Sequence, residues 1–176
     1  MHQNSPTCIL HCIWQSSFLS ARYDLCPTTP FLQNRLIKIG DINSTPAVLA
    51  LISLHVAEIN RMSLQESTVT FYSPWEGHEL MGIGALEELS PTHGEVKSMR
   101  AVAAHFRKRV GRVIVEHLIK VAKERGYTRL SLETGIDSSF ESARRFYTNM
   151  GFELCDPYGP LAPCPDSSFM TLELEA

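Results

Sequence analysis

The sequence predicts a mixed α/β sandwich, a single sheet with helices on both faces. Three observations carry that prediction: β-branched and aromatic runs early in the chain that read as a hairpin, one strong apolar stripe at helical spacing near the middle, and strand–helix alternation after it. At 176 residues the chain suits one domain and can bury a real core. Residues 1–34 mix Cys, Ser, Thr, Pro and Gln with isolated aromatics and hold no period, so they read as a poorly ordered extension ahead of a domain over 35–176.

Leu36-Ile37-Lys38-Ile39 reads as a first short strand. Asp41 or Ser44 then caps a helix that accepts Pro46 in its first turn and lines up Val48, Leu49, Ile52, Val56 and Ile59 on one face. A short polar connection, Ser63 to Ser67, leads to a strand from Thr68 to Ser73. Glu76-Gly77-His78 turns the chain into a second hairpin arm, Glu79 to Leu89. After a turn at Pro91–Gly94, Glu95 to Val102 forms the next strand, in which alternation sets Glu95, Lys97 and Met99 on one face. The clearest helix runs from about Val110 to Arg125, with Val113, Ile114, His117, Leu118 and Val121 at helical spacing and Gly126 to end it. Arg129 to Thr134 is a strand. Ser138 or Ser139 caps a helix from Phe140 to Met150. Phe152 to Cys155 is a strand, and a Pro-rich loop from Asp156 to Asp166 leads to the last strand, Ser168 to Leu174.

Charge and cysteines narrow the function. The net charge is −3, which argues against a nucleic-acid partner, yet Arg100 to Lys123 is locally basic and suits a small anionic ligand. The five cysteines match no zinc spacing and read as free thiols, so no metal is expected. No apolar run reaches the length of a membrane span, and the stretch Cys8–Trp14 lacks a basic residue ahead of it, so the expected location is the cytoplasm, with no membrane partner.

The chemistry concentrates where the strand ending at Val102 passes through His105-Phe106-Arg107-Lys108-Arg109-Val110-Gly111-Arg112 into the long helix. The first amides of a helix have no internal partners, and its dipole places positive charge at the same end. Gly111 allows close backbone approach, and Arg107, Lys108, Arg109 and Arg112 add side-chain charge, so a pyrophosphate fits. Solvated surface charge explains the same cluster about equally well by spacing alone.

The runs GALEELSPTHGEVKSMR, VGRVIVEHLIKVAKERGYTRLSLETG, SARRFYTNMGFELC and SSFMTLEL resemble, in order, the GNAT superfamily of acyl-CoA N-acyltransferases, and in particular its bacterial-type acetyltransferases. The resemblance implies a mixed, mostly antiparallel sheet and acetyl-CoA as co-substrate. It maps the pantetheine-pairing backbone to Met99 and Ala101 and the pyrophosphate loop to Arg107, Lys108, Arg109, Val110, Gly111 and Arg112. Phe106 stands where the family pattern has Arg or Gln, Arg109 where it has its first Gly, and Phe140-Glu141 where many members have an Asn. Tyr147 matches the tyrosine that protonates the departing thiolate, a general-acid role. Glu95 is the expected base, with Glu88 and Glu133 as further candidates and a backbone N–H near Met99 as oxyanion donor. A bland surface pair between Glu95 and Lys97 competes with that role. The implied reaction is transfer of an acetyl or short acyl group to a primary amine, on a small molecule or a protein. A homodimer is one assembly open to it. The alternatives are a non-catalytic acyl-CoA-binding or interaction module derived from a transferase, and, ranked low, a basic-helix nucleic-acid binder.

Overall fold

The computed structural model describes residues 36–40, 68–161 and 163–175. The expected first helix, the connection over 63–67 and the proposed extension over 1–34 lie outside the described residues. In chain order the strands are β1 (Leu36–Gly40), β2 (Val69–Glu76), β3 (Glu79–Leu80), β4 (Gly82–Ser90), β5 (His93–Ala101), β6 (Arg129–Gly135), β7 (Glu153–Cys155) and β8 (Ser167–Glu173). The helices are α1 (Val110–Glu124) and α2 (Glu141–Asn149). Short 3-10 turns at Ala103–His105 and Ser138–Phe140 precede them.

One sheet collects all of the strands in the order β1-β2-β4-β5-β6-β8-β7, with β3 also on β2. Every pairing is antiparallel except β5 with β6, which is parallel. The hairpin turns at Gly77, whose φ of 61° is the left-handed conformation glycine adopts without penalty. Strand β2 continues three residues past the expected Ser73. Its Pro74 sits at an irregularity, where Ser73 and Pro74 face residues 81–83 and the Pro74 carbonyl accepts from the Met81 amide at 3.0 Å. A bulge is one of the few places a strand tolerates proline.

Both described helices share one face of the sheet. Val110, Ile114, Val115, Leu118 and Ala122 of α1 and Ala143 and Tyr147 of α2 pack with Leu86, Val96, Leu130, Leu132 and Met170 in one buried cluster. Gly84 lets α1 come close, because a Cβ there would collide with Ile114 and would lie 2.8 Å from the Met99 sulfur. The opposite face carries a smaller apolar cluster, Phe71, Trp75, Ile83 and Ala85. Gly126 ends α1 at φ 80°, as its position predicts. The cap of the second helical segment is Asp137 rather than Ser138 or Ser139: its Oδ1 accepts from the Ser139 amide at 2.8 Å.

Candidate functional site

Strands β5 and β6 are the seam of the molecule. They pair only at His93–Glu95 with Arg129–Ser131, and then part. Past that point β5 pairs with β4 alone and β6 with β8 alone. The seam is tight where it exists, since Tyr127 packs on Gly94 so closely that a Cβ there would lie 2.8 Å from its ring. Beyond it, Val96–Ala101 and Leu132–Gly135 no longer pair with each other, so a gap opens between their facing edges. An extended, amide-bearing ligand arm fits such a gap as a strand would.

The gap changes the geometry of β5. Gly84 on β4 faces both Ser98 and Met99, a bulge in which Ser98 takes φ 51°. The extra residue reverses the alternation. Glu95 and Lys97 stay on one face as expected, but Met99 turns to the other and joins Val96 in the core under α1. The expectation that Met99 shares a face with Glu95 is therefore wrong, because period-2 alternation fails across a bulge.

At the open end of the gap stands the N-terminus of α1. Its cap residue is Arg109, with no side-chain cap and no acidic residue in the first turn. The first helical bond runs from the Val113 amide to the Arg109 carbonyl at 3.1 Å, which leaves the amides of Val110, Gly111 and Arg112 without helical acceptors. Arg107 and Arg109 both hold positive φ, 69° and 56°. These are conformations in which glycine costs nothing and arginine is strained. The position where the sequence departs from the family's glycine is thus one where the backbone still takes the glycine conformation. Both side chains are exposed and form no ion pair with any described residue. Lys108 and Arg112 differ, pairing with Glu76 and Glu116 at 3.1 and 3.2 Å. A Cβ on Gly111 would meet only ordinary contact with Phe146 at 3.6 Å, so no described neighbour forbids a side chain there.

Tyr147 is buried in the core cluster, its ring 5.2 Å from Phe146 and 5.7 Å from Phe152. Of the three carboxylates considered as base, Glu88 turns to the helix face, where the Tyr127 hydroxyl donates to it at 2.9 Å. Glu133 accepts from the Ser167 hydroxyl. Glu95 is 4% exposed, which removes the reading of its contact with Lys97 as a surface pair. The Lys97 ammonium bridges Glu95, at 3.4 Å, and Glu87. Burial pushes the Glu95 carboxyl up to about 7, against the pull of Lys97 and with a further push from Glu87. Burial alone would lower Lys97, but the two carboxylates outweigh it and hold it above its usual value.

Two residues around Glu95 escaped the sequence reading. His93 Nε2 lies 2.8 Å from the Ser131 hydroxyl, which donates onward to Thr171 at 3.1 Å. Tyr158, from the loop between β7 and β8, stands edge-on to His93 at 5.6 Å and to Phe169 at 5.9 Å. A loop tyrosine far along the chain gives no periodic signal, so only the fold reveals it.

The profile described as the acetyltransferase (GNAT) family matches residues 44–152. The Bacillus subtilis (strain 168) "Uncharacterized N-acetyltransferase YsnE" is 44% identical over 150 residues, covering 78% of this chain and 99% of its own. Among solved structures, a Klebsiella pneumoniae chain assigned as an acyl-CoA N-acyltransferase superposes with a TM-score of 0.70 at 25% identity, over 81% of this chain and 99% of its own. A GNAT family acetyltransferase from Elizabethkingia anophelis, solved with acetyl-CoA bound, shares the fold at a TM-score of 0.67 and 19% identity, over 81% and 99%. With the parted strands, the uncapped helix and the family profile all falling on one stretch, the chain belongs to the GNAT acetyltransferase family and is an acyl-CoA-dependent N-acetyltransferase.

Proposed function

We propose that the protein moves an acetyl or other short acyl group from CoA to a primary amine by direct attack within a ternary complex. The observation that carries this reading is the parting of β5 from β6 directly below the uncapped start of α1. The pantetheine arm adds to the free edge of β5 through the Met99 and Ala101 backbone. The diphosphate rests on the amides of Val110, Gly111 and Arg112, with Arg107 and Lys108 supplying charge around it and the left-handed backbone of Arg109 turning the chain into the helix.

Glu95 is the base. An amine attacks a thioester only when neutral, and a buried carboxyl with a pKa of about 7 is poised to take its proton near neutral pH. A backbone N–H near Met99 faces the developing oxyanion, and the Tyr147 hydroxyl returns a proton to the departing thiolate. The acceptor is a small-molecule amine or a protein amino group. The reaction takes place in the cytoplasm. No described helix is long and apolar enough to cross a membrane, and Cys155 is a free thiol.

The test is a two-part titration. Saturating acetyl-CoA raises the melting temperature, because a ligand that prefers the native state must stabilise it. Thiol release across a panel of amines then identifies the acceptor class. Protein that melts at the same temperature with and without saturating acetyl-CoA sinks the proposal.

A further inference from the structure

We propose that Lys97 is the positioning residue of the base and Glu87 its counterweight: one ammonium held between two facing carboxylates orients Glu95, and stays paired after Glu95 has taken the proton of the amine. The inference rests on Glu95 being the base.

The strand register builds this triad. Glu87 of β4 stands directly opposite Glu95 of β5, and Lys97 stands opposite Ala85. All four lie on the face away from α1, since Ala85 belongs to the apolar cluster there and the pairing is regular from Ala85 to Glu88. The small Ala85 side chain leaves the Lys97 stem room to cross diagonally to Glu87, the next residue of β4 on that face. The ammonium pairs with Glu87 and lies 3.4 Å from Glu95. Carboxylates placed directly across a strand pair repel each other, and burial strengthens the repulsion. The Glu87 and Glu95 side chains are only 15% and 5% exposed, so water screens them little. The cation between them is what lets both ionise in that register.

The charge count explains why two carboxylates share one lysine. With all three groups ionised the triad is an anion. When Glu95 takes a proton from the acceptor amine, Lys97 and Glu87 remain as a neutral pair that keeps its contact. Were Glu87 uncharged, the same step would strand a largely buried ammonium, and Lys97 would instead hold Glu95 in its charged form. Burial raises the Glu95 carboxyl, Lys97 lowers it and Glu87 raises it again, which agrees with this division of roles. No other described group brings a positive charge to Glu95. His93, two residues earlier on the same face of β5, is bonded to Ser131, which stands opposite Glu95 on β6, and burial and Arg129 lower its imidazole. Glu133, next on that face of β6, accepts from the Ser167 hydroxyl. Tyr158, on the loop between β7 and β8, is driven above its ordinary value by burial, Glu95 and Glu133 and stays neutral.

Two variants tip the balance in opposite directions. Glu87→Gln keeps the shape and an acceptor for Lys97 but removes the second charge. The acid limb of its kcat/KM profile moves to lower pH by about one unit, and kcat/KM at pH 8 falls several-fold because a weaker base takes the proton. Lys97→Met moves the limb to higher pH, and Lys97→Arg, which restores the charge, returns it toward the wild type. The same opposed displacements appear in the Glu95 carboxyl titration followed by 13C NMR on substrate-free protein, with the signal assigned by its loss in Glu95→Gln. Glu87→Gln carries the test alone should Lys97→Met fail to fold. A Glu95 titration that is unmoved in Glu87→Gln, or moves to higher pH, overturns the inference, as does a folded Lys97→Met whose titration does not rise. If Glu95→Gln keeps full activity and the acid limb, Glu95 is not the base. That failure is distinct, because the opposed titrations of the free protein do not depend on turnover.

Discussion

Strand β5 behaves as two different strands. From His93 to Glu95 the backbone is paired on both sides, and Glu95 lies buried in a polar cluster. From Val96 onward the backbone is paired with β4 only, passes through the bulge at Ser98, and runs on toward the start of α1. The bulge exchanges the faces, sending Met99 into the core while Glu95 and Lys97 remain opposite. The doubly paired segment carries a buried carboxylate, and the singly paired one presents bare amides. Proton chemistry needs a dry, fixed group, whereas an extended ligand arm needs an open edge, and one continuous strand cannot supply both.

The largest effect comes from the closed side. Glu95→Gln lowers kcat/KM by about 10²–10⁴-fold at pH 8, the usual worth of a positioned base. Its stability moves the other way. The folded carboxyl titrates at about 7 against an ordinary 4.5, so the stability it contributes is present below 4.5 and is lost as pH rises through 7. Above that window Glu95→Gln is more stable than the wild type by about 1–3 kcal/mol, a difference that fades toward pH 5 in denaturant titrations. Equal stabilities at pH 8 would show that Glu95 is not held at the cost its burial implies.

Tyr147→Phe lowers kcat by about 10²-fold while acetyl-CoA still raises the melting temperature. An unchanged kcat would leave Tyr147 as a core residue alone, which its burial against Phe146 and Phe152 also fits.

The bulge itself is tested at Gly84, which faces Ser98 and Met99. Gly84→Ala drives a Cβ into Ile114 and against Met99 and costs about 1–3 kcal/mol of stability. The smallest effect falls on the open side. Arg109→Gly relieves a left-handed arginine and stabilises the free protein by about 1 kcal/mol. It also tightens acetyl-CoA binding by removing a side chain from the loop, measured by calorimetry. Weaker binding would instead make the Arg109 charge a contributor.

Most elements were legible because they obey a period. The stripe of Ile114, Leu118 and Val121 marked α1, and Gly126 marked its end. The hairpin followed from Gly77 and its flanking strands. The basic loop before α1 and Glu95 were singled out as site candidates through the resemblance and the residue types. The bulge was not. It falls on Ser98, with neither Gly nor Pro to announce it, and arises because β5 must follow β4 while leaving β6. The expected strand stopped at Ser73, whereas β2 runs on through Pro74, which the irregularity opposite Met81 accommodates. His93 and Tyr158 meet across 65 residues of sequence (from 93 to 158) through pairings that no local pattern records.

The brief contact between β5 and β6 has a mechanical corollary. Three residue pairs stitch the first half of the sheet to the second, and a guest laid into the gap would lengthen that stitching several-fold. On the placement proposed above, the coenzyme would be a structural member as well as a reagent: while seated it would hold the halves as one plate, and on leaving it would let them breathe against each other. Turnover and rigidity would rise and fall together, each catalytic cycle tightening the molecule and slackening it again.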